Sequence, residues 1–429
     1  MRNPGVQLSL QTSSLVVGFM AWVLISSLMS YIQQDISLTS SQTSIVTAIP
    51  VILGSLLRIP IGFYTDRFGA RTIFLISFII LLFPVFYISI ASTFMDLVIG
   101  GLILGIGGAV FSVGVTSLPK YYPKEKHGFI NGVYGVGNIG TAITTFGAPI
   151  LAENIGWQGT VRLFLILILI YCALIFIFGD RKEERKKKSM LAEIQGVYKN
   201  MTLWFFCLFY FITFGAFVAF TMFLPVFLVN YFDLTPVDAG IRTAIFVVIA
   251  TAMRPVGGFL ADKFNAFVIL MFVFAGITFS GILLAFSPDI VWYTVGALTV
   301  GVTVGIGNGA IFKLVPLYFS KQAGVVNGIV SALGGLGGFF PPLLLTAVSN
   351  ITGQHAIAFM LLSEFAFVSF VIVIFMYYQE KVTMERQIIL GAVEGIVITD
   401  KNGIIQDVNP SFTKIFGYTA DEVRGKTPK

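Results

Sequence analysis

The strongest constraint in this sequence is a series of long apolar segments. Twelve segments of about 20 residues can be counted, and only 11% of the 429 residues are charged, whereas soluble domains average about 25%. A helix needs about 20 residues to cross a hydrocarbon layer of roughly 30 Å, so we predict an all-α membrane protein with twelve transmembrane helices. In chain order, helices 1 to 12 are predicted at 13–33, 42–63, 72–91, 96–118, 128–151, 160–179, 202–229, 241–261, 265–286, 290–313, 324–347 and 356–378.

The basic residues are distributed as expected for a membrane protein. A net charge of +6 could suggest nucleic acid, but the lysines and arginines are concentrated in the loops after even-numbered helices, most densely in R-K-E-E-R-K-K-K at 181–188. Cytoplasmic loops carry such an excess. We therefore expect a multi-pass protein of the cell membrane with both termini cytoplasmic and no nucleic-acid partner. The first apolar run is too long for a signal peptide and should be retained.

The sequence contains few residues that could bind a metal or form disulfides. Cys172 and Cys207 lie inside apolar helices, and His127 and His355 lie in loops on opposite sides of the predicted membrane. Two cysteines cannot make a disulfide framework or a metal site. We expect neither a metal nor a cofactor.

Internal matches indicate that the chain contains two related halves. L-L-R-I-P-I-G-F-Y-T-D-R-F-G at 56–69 aligns with A-M-R-P-V-G-G-F-L-A-D-K-F-N at 252–265, an offset of 196 residues. Helices 4 and 10 contain G-I-G-G-A from residue 105 and G-I-G-N-G from residue 305. Repeats in the same orientation suggest two bundles that rock about a site near the middle of the membrane.

The segment G-F-Y-T-D-R-F-G-A-R at 62–71 resembles the loop signature of the major facilitator superfamily. The resemblance implies two pseudo-symmetric six-helix bundles, at 1–180 and 201–380, joined by a basic cytoplasmic linker at 181–200. A charged cluster at the helix end would latch neighbouring helices on the cytoplasmic side during gating. The residues expected to have this gating role are Asp66, Arg67, Arg71 and Asp262.

Two arginines lie deep in the membrane. Arg58 and Arg254 each precede an aspartate by eight residues, which places them about 12 Å above the cytoplasmic helix end. An arginine near the bilayer centre costs roughly 2.5–3.5 kcal/mol and normally faces a cavity. It could snorkel, bond to helix carbonyls or pair with an acid, but Glu364 is the one acid inside the predicted spans. A small anion from solution could instead supply the missing charge, and a monoanion suits two arginines.

Helices 5 and 11 contain glycine-rich motifs, N-G-V-Y-G-V-G-N-I-G at 131–140 and N-G-I-V-S-A-L-G-G-L-G-G-F-F-P-P at 327–342. Close helix packing alone could explain them, since small residues let membrane helices approach each other. Together with the two arginines, however, the motifs resemble the paired nitrate signatures of the nitrate/nitrite porter family. This resemblance covers residues 10–378.

The resemblance implies a substrate site near the middle of the membrane. In that family two arginines bind nitrate, the glycine helices approach it closely, an asparagine contacts it, and aromatic rings clamp the flat anion. The matching substrate-binding residues here are Arg58, Arg254, Gly135, Gly137, Asn138, Gly334, Gly335, Phe111, Phe214, Phe312 and Tyr210.

The sequence leaves the roles of two charged residues in the spans open. Lys313, beside Phe312, could contact the anion or snorkel to the surface. Glu364 could carry a coupling proton or serve in packing. The scarcity of embedded acids favours nitrate/nitrite exchange slightly over proton symport.

The residues after Tyr378 follow a different pattern. Two short apolar strands flank Asn402-Gly403, a turn signal, and Asn409-Pro410 and Thr419 to Glu422 indicate helix starts. The segment 386–429 resembles the beginning of a PAS sensory domain, and it includes less than half of one. We expect a partial α/β segment without a cofactor.

The leading hypothesis is therefore a monomeric alternating-access transporter of nitrate or nitrite in the lipid bilayer. One alternative is a facilitator of another small monoanion such as formate or a carboxylate. Another is a nitrate-responsive sensor that signals through the PAS-like tail. An enzyme is not expected, because the spans contain no nucleophile, metal cluster or acid-base pair.

Overall fold

The computed structural model describes residues 3–185, 189–287, 289–339 and 356–428. Several predicted features lie outside these ranges. They are residues 186–188 of the basic run, residues 340–347 of helix 11 with Pro341 and Pro342, and His355.

The first half of the chain contains helices 1 to 6, several of which are interrupted. Helix 1 is Pro4–Trp22 with Leu24–Asp35, helix 2 is Ser40–Leu56 with Arg58–Phe68, helix 3 is Ala70–Ile88, and helix 4 is Phe94–Leu104, Ile106–Ala109 and Phe111–Ser117. Short 3-10 turns at Leu118–Tyr121 and Lys124–Lys126 lead to helix 5, which comprises His127–Gly135, a 3-10 turn at Val136–Asn138 and the start of Ile139–Phe178.

The boundary between helices 5 and 6 is a single glycine. Gly156 has φ of 74° and lies inside Ile139–Phe178. Side chains other than glycine rarely adopt this backbone conformation. Gly156 therefore ends helix 5, and helix 6 occupies the remainder of the segment.

The second half contains longer unbroken helices. Helix 7 is Met201–Phe232, helix 8 is Pro236–Lys263, helix 9 is Ala266–Ala285, helix 10 is Ile290–Tyr318, helix 11 begins as Ala323–Leu336, and helix 12 is Ala356–Gly391. A short helix, Met190–Val197, lies in the predicted linker.

Within the described ranges, a helix occupies each of the twelve predicted positions. Ten segments are long and apolar enough to cross a membrane, one of them, Lys124–Phe178, containing both helices 5 and 6. Ala323–Leu336 is a shorter apolar helix. The predicted all-α membrane fold is confirmed, with helix 12 extending beyond its expected end at residue 378.

The helices approach each other through glycines. Gly140 of helix 5 packs against the carbonyl of Val16 in helix 1, and Gly257 of helix 8 packs against the carbonyl of Ile306 in helix 10. In a membrane, helix association relies on such close contact because lipid tails are as apolar as the side chains. The glycines thus bring helix backbones, rather than side chains, into contact.

The chain divides into two compact units, Met1–Phe370 and Val371–Lys429. In the second unit, β1 (Val397–Thr399) pairs antiparallel with β2 (Ile405–Val408). Asn409 caps the helix Pro410–Phe416, and the capping box from Thr419 to Glu422 begins Ala420–Val423. The strand pair and both helix starts agree with the sequence, although this unit begins before the predicted boundary at residue 386.

Because Gly140 contacts backbone, we predict that Gly140→Val destabilises the first half. An added side chain would overlap the Val16 carbonyl, and overpacking of this kind costs about 1–3 kcal/mol. The measurement is the Tm of purified protein in detergent. Gly147→Val is the matched control on the same helix, because nothing lies within 4 Å of a side chain added there. Equal Tm values for the two variants would contradict the prediction.

Candidate functional site

The two membrane arginines lie at the centre of the helical unit and share the same aromatic neighbours. Arg58 is 0% exposed and Arg254 is 2% exposed. The guanidinium of Arg58 lies 5.3 Å from the ring centroid of Phe111 and 5.0 Å from that of Phe214. The corresponding distances for Arg254 are 5.4 and 5.7 Å. One arginine from each half therefore contacts the same two rings.

The rings form a compact cluster on helices 4, 7 and 10. Phe111 and Phe214 lie 6.2 Å apart at an interplanar angle of 18°, and Tyr210 stacks on Phe214 at 5.0 Å. Phe312 meets Phe111 edge-on at 5.3 Å and Tyr210 at 4.8 Å. The structure thus brings together the four aromatic residues that the family resemblance implied.

Arg58 is partly satisfied by the protein backbone. Its Nε donates to the carbonyl of Gly108 at 3.2 Å and its Nη1 donates to the carbonyl of Ser331 at 2.8 Å. Nη2 has no hydrogen-bond partner among the described residues. Ser331 belongs to helix 11, so this arginine connects the two halves.

Arg254 is less satisfied than Arg58. Its Nη2 donates to the hydroxyl of Tyr210 at 3.1 Å, whereas Nε and Nη1 have no partner in the described part of the chain. A buried donor without a partner costs about 1–3 kcal/mol, and more if charged. The centre of the unit therefore offers three arginine nitrogens to an acceptor that the described residues do not provide.

The glycine motifs make room for these side chains. A side chain at Gly135 would overlap Arg254, one at Gly334 would overlap the ring of Tyr210, and one at Gly335 would overlap Ser55 beside Arg58. Gly137 is different, because it packs against Leu15 of helix 1. Three of the four predicted glycines therefore border the cluster.

Asn138 follows Gly137 at the end of the 3-10 turn in helix 5. It is 1% exposed, and neither its amide nitrogen nor its amide oxygen has a partner among the described residues. Buried amides are normally hydrogen-bonded. The amide of Asn138 is therefore available to donate to, or accept from, a polar ligand.

Several residues of the cluster escaped the sequence analysis. The guanidinium of Arg58 also lies 5.8 Å from the ring of Trp22, and Tyr134 packs 5.8 Å from Phe111 while donating to the carbonyl of Val110. Ser112 and Ser331 pair their hydroxyls at 2.9 Å. Tyr134 and Ser331 lie within the glycine-rich motifs, which could have indicated them as site residues. No motif contains Trp22.

The two repeated aspartates lie at the cytoplasmic end predicted for helices 2 and 8, and each reaches the opposite half. Asp66 pairs with Lys120 at 2.9 Å and accepts a hydrogen bond from the backbone N–H of Gly324 at 3.2 Å. Asp262 pairs with Lys313 at 2.7 Å and accepts from the N–H of Gly128 at 3.0 Å. Its other oxygen accepts from Phe129 at 2.7 Å.

The carboxylate of each aspartate contacts the start of a helix in the other half, where free N–H groups and the helix dipole favour negative charge. Gly324 is near the start of helix 11, and Gly128 is near the start of helix 5. Carboxylates of one half therefore cap helices of the other half. These contacts join the two halves on this side.

The other predicted gating residues are placed differently. Arg67 is exposed, with its guanidinium 5.6 Å from the ring of Phe68, and Arg71 donates to the carbonyl of Phe176 at 2.9 Å. The cations paired with the aspartates are Lys120, in the 3-10 turn after helix 4, and Lys313, near the end of helix 10. Glu183 extends the first pair, accepting from Lys120 at 3.1 Å. The gating assignments themselves remain predictions.

The structure also places the two residues that the sequence left open. Lys313 pairs with Asp262 and donates to the carbonyl of Lys124, so it is neither at the aromatic cluster nor a simple snorkelling lysine. Glu364 is exposed on the outer face of helix 12, in a groove lined by Thr278 and Phe279 of helix 9. It lies away from both arginines' described contacts.

A twelve-helix membrane fold with a polar site between two repeated halves is typical of secondary transporters. A model of the Major Facilitator Superfamily matches residues 12–342, more than half of the chain. The chain therefore belongs to this superfamily. A model of the PAS fold matches residues 383–429.

Two relatives with nitrite or nitrate in their names are similar to most of this chain. The chain is 65% identical over 376 residues to the nitrite extrusion protein of Bacillus subtilis, covering 88% of this chain and 95% of the relative. It is 52% identical over 375 residues to the probable nitrate transporter NarT of Staphylococcus epidermidis, covering 87% and 97%. The resemblance to the nitrate/nitrite porter family is confirmed, and these relatives are named as transporters and not as enzymes.

Solved structures support the fold independently. The human organic anion transporter MFSD10 aligns with a TM-score of 0.72 at 15% identity, covering 87% of this chain and 100% of that one. At this level of identity the likeness concerns the fold.

Because Asp262 joins the two halves at the predicted cytoplasmic end, we predict that Asp262→Asn favours separation of the halves at that end. The amide removes the charge that pairs with Lys313, and charge-assisted hydrogen bonds are about twice as strong as neutral ones. Spin labels attached after Lys126→Cys and Lys263→Cys, in a Cys172→Ala, Cys207→Ala background, should report longer distances between the halves.

Asp96→Asn is the control for this experiment. Asp96 caps helix 4 within the first half. It belongs to neither of the two aspartate clusters, which are Asp66 with Lys120 and Gly324, and Asp262 with Lys313 and Gly128. An Asp262→Asn distance distribution identical to that of Asp96→Asn would show that the cluster does not hold the halves together.

Proposed function

We propose that this protein transports nitrate or nitrite by alternating access, with the anion held between Arg58 and Arg254. The observation that carries the proposal is the pair of buried guanidiniums, one from each half, which share two rings and have nitrogens without a partner among the described residues. The names of the relatives supply the substrate class, nitrate and nitrite.

The charge and shape of the site suit a small planar monoanion. The hydrogen-bond and ion-pair partners described for both arginines include no carboxylate. A guanidinium presents N–H groups in a flat fork that matches a planar oxyanion. The nearly parallel rings of Phe111 and Phe214, at 18°, would favour a flat ligand over a tetrahedral one.

Alternating access is supported by burial and by the aspartate clusters. The arginines and the rings of Phe111, Tyr210 and Phe214 are at most 2% exposed, so an anion reaches them only after the halves move. The two aspartate clusters join the halves on one side. Breaking them would open that side, as expected for bundles that rock about a central site.

We predict that Arg58→Lys and Arg254→Lys each lower nitrate flux by about tenfold or more. Lysine retains the charge but loses the fork, and a hydrogen bond to a charged group is worth about 1.5–3 kcal/mol. The assay is nitrate uptake into proteoliposomes with equal amounts of folded protein. Arg162→Lys is the matched control, because Arg162 is exposed near the start of helix 6. Normal flux in both site variants would exclude the arginine clamp.

We further propose exchange of nitrate and nitrite as the coupling mode. Glu364, the acid inside the predicted spans, faces outward from helix 12, which is a poor place for a proton relay to the central site. Nitrate uptake should therefore rise when vesicles contain nitrite and should not respond to a pH gradient. Glu364→Gln should transport at the wild-type rate. Uptake that is driven by an acidic exterior and lost in Glu364→Gln would instead indicate proton symport.

A further inference from the structure

Asn308, in the G-I-G-N-G segment of helix 10, is a buried polar residue to which neither the family resemblance nor the arginine clamp assigns a role. Its side chain is 2% exposed. Neither its amide nitrogen nor its amide oxygen has a hydrogen-bond partner among the described residues. Since buried amides are normally hydrogen-bonded, Asn308 has donors and an acceptor that the described residues leave available.

Contacts between helices 8 and 10 place Asn308 at the level of Arg254. The two helices run in the same direction, with Gly305 against the carbonyl of Ala250 and Gly309 against the carbonyl of Arg254. Asn308 is one residue before Gly309, and each residue advances a helix by about 1.5 Å. The asparagine and the arginine therefore lie at nearly the same depth.

The helical period shows which way Asn308 faces. Residues four apart lie on the same face of a helix, so Asn308 shares its face with Phe312. The ring of Phe312 packs 5.3 Å from Phe111 and 4.8 Å from Tyr210. Gly307 and Gly309 on either side face Thr213 and the backbone of Arg254. Asn308 thus faces the aromatic cluster between helices 7 and 8.

The sequence repeat shows what is different about this position. G-I-G-G-A from residue 105 matches G-I-G-N-G from residue 305, so Asn308 corresponds to Gly108. The carbonyl of Gly108 accepts from Nε of Arg58. In the second half, Nε of Arg254 has no partner among the described residues, and the matching position has an amide side chain.

We propose that Asn308 is a further substrate-binding residue. Its Nδ2 group donates to an oxygen of the bound anion, and its Oδ1 accepts from an open nitrogen of Arg254. Because an amide is neutral, it adds a donor without raising the positive charge of the site. This inference rests on the proposed function and extends the clamp from two arginines to a neutral third group.

The test uses Asn308→Leu, which removes both polar atoms at similar volume. Apparent nitrate affinity is measured as the nitrate concentration dependence of Tm in detergent and as the KM for nitrate uptake into proteoliposomes. We expect the affinity to fall about tenfold or more, as for loss of a hydrogen bond to a charged group. The Tm without nitrate should be unchanged or higher, because an unpartnered buried amide has been removed.

Ser369→Ala is the control. Ser369 of helix 12 is 0% exposed and its hydroxyl also has no partner among the described residues, so this variant tests the general effect of removing such a group. It should keep wild-type affinity. Wild-type affinity in Asn308→Leu would overturn the proposal.

Asn308→Asp serves if the leucine variant does not fold, because it retains the shape of the side chain. Its carboxylate beside Arg254 would compete with the anion and should lower affinity by at least the same factor, and unchanged affinity would again overturn the proposal. The wild-type protein separates the two levels of inference. If nitrate and nitrite neither raise its Tm nor move across the membrane, the proposed function fails, and not the role of Asn308 alone.

Discussion

Two guanidinium groups buried at the centre of a membrane protein carry charges that the described residues around them do not balance. Arg58 and Arg254 are compensated in part by ring faces, by two backbone carbonyls and by one tyrosine hydroxyl. Neutral dipoles lower the cost of burial without removing the charge. Other features accompany this constraint: glycines that leave space for the long side chains, rings that stack beside the guanidiniums, and amides whose polar atoms have no partner among the described residues. An anionic substrate would complete the electrostatics and so favour the conformation that encloses it.

The two halves also meet through aspartates, at the predicted cytoplasmic end of the helices. Among the described residues, the two arginines at the centre have no carboxylate partner, whereas carboxylates at the predicted cytoplasmic end cap the starts of helices. The lysine partners, Lys120 and Lys313, balance the carboxylates locally. When the halves separate, water can replace the contacts of these pairs at the helix ends, whereas no described residue supplies the missing negative charge at the centre. The proposed cycle therefore requires the contacts at the helix ends to break and an anion to bind at the centre.

Much of this arrangement could be predicted from the sequence, for identifiable reasons. Apolar run length indicated the helices, and the 196-residue offset paired Arg58 with Arg254 and Asp66 with Asp262. The ring cluster followed from the family resemblance alone, since one phenylalanine among 43 carries no signal of its own. Sequence could not identify partners supplied by backbone, such as the carbonyls of Gly108 and Ser331, because every residue has a carbonyl. It also missed the aspartates' lysine partners, which lie more than 50 residues away and depend on how the helices pack.

Helices 2 and 4 of the first half are interrupted, whereas their counterparts in the second half, helices 8 and 10, are continuous. Helix 2 restarts at Arg58, helix 4 restarts at Phe111, and helix 5 passes through a 3-10 turn that ends at Asn138. Helices 7, 8 and 10 are continuous past Phe214, Arg254 and Phe312. Breaks in the helical ladder are where a helix bends most easily. Helices 2 and 4 would therefore bend more easily than helices 8 and 10, and they would do so at Arg58 and Phe111, which we propose hold the anion. The two arginines thus occupy equivalent positions on helices of unequal stiffness, so small adjustments around a bound anion would occur mainly in the first half.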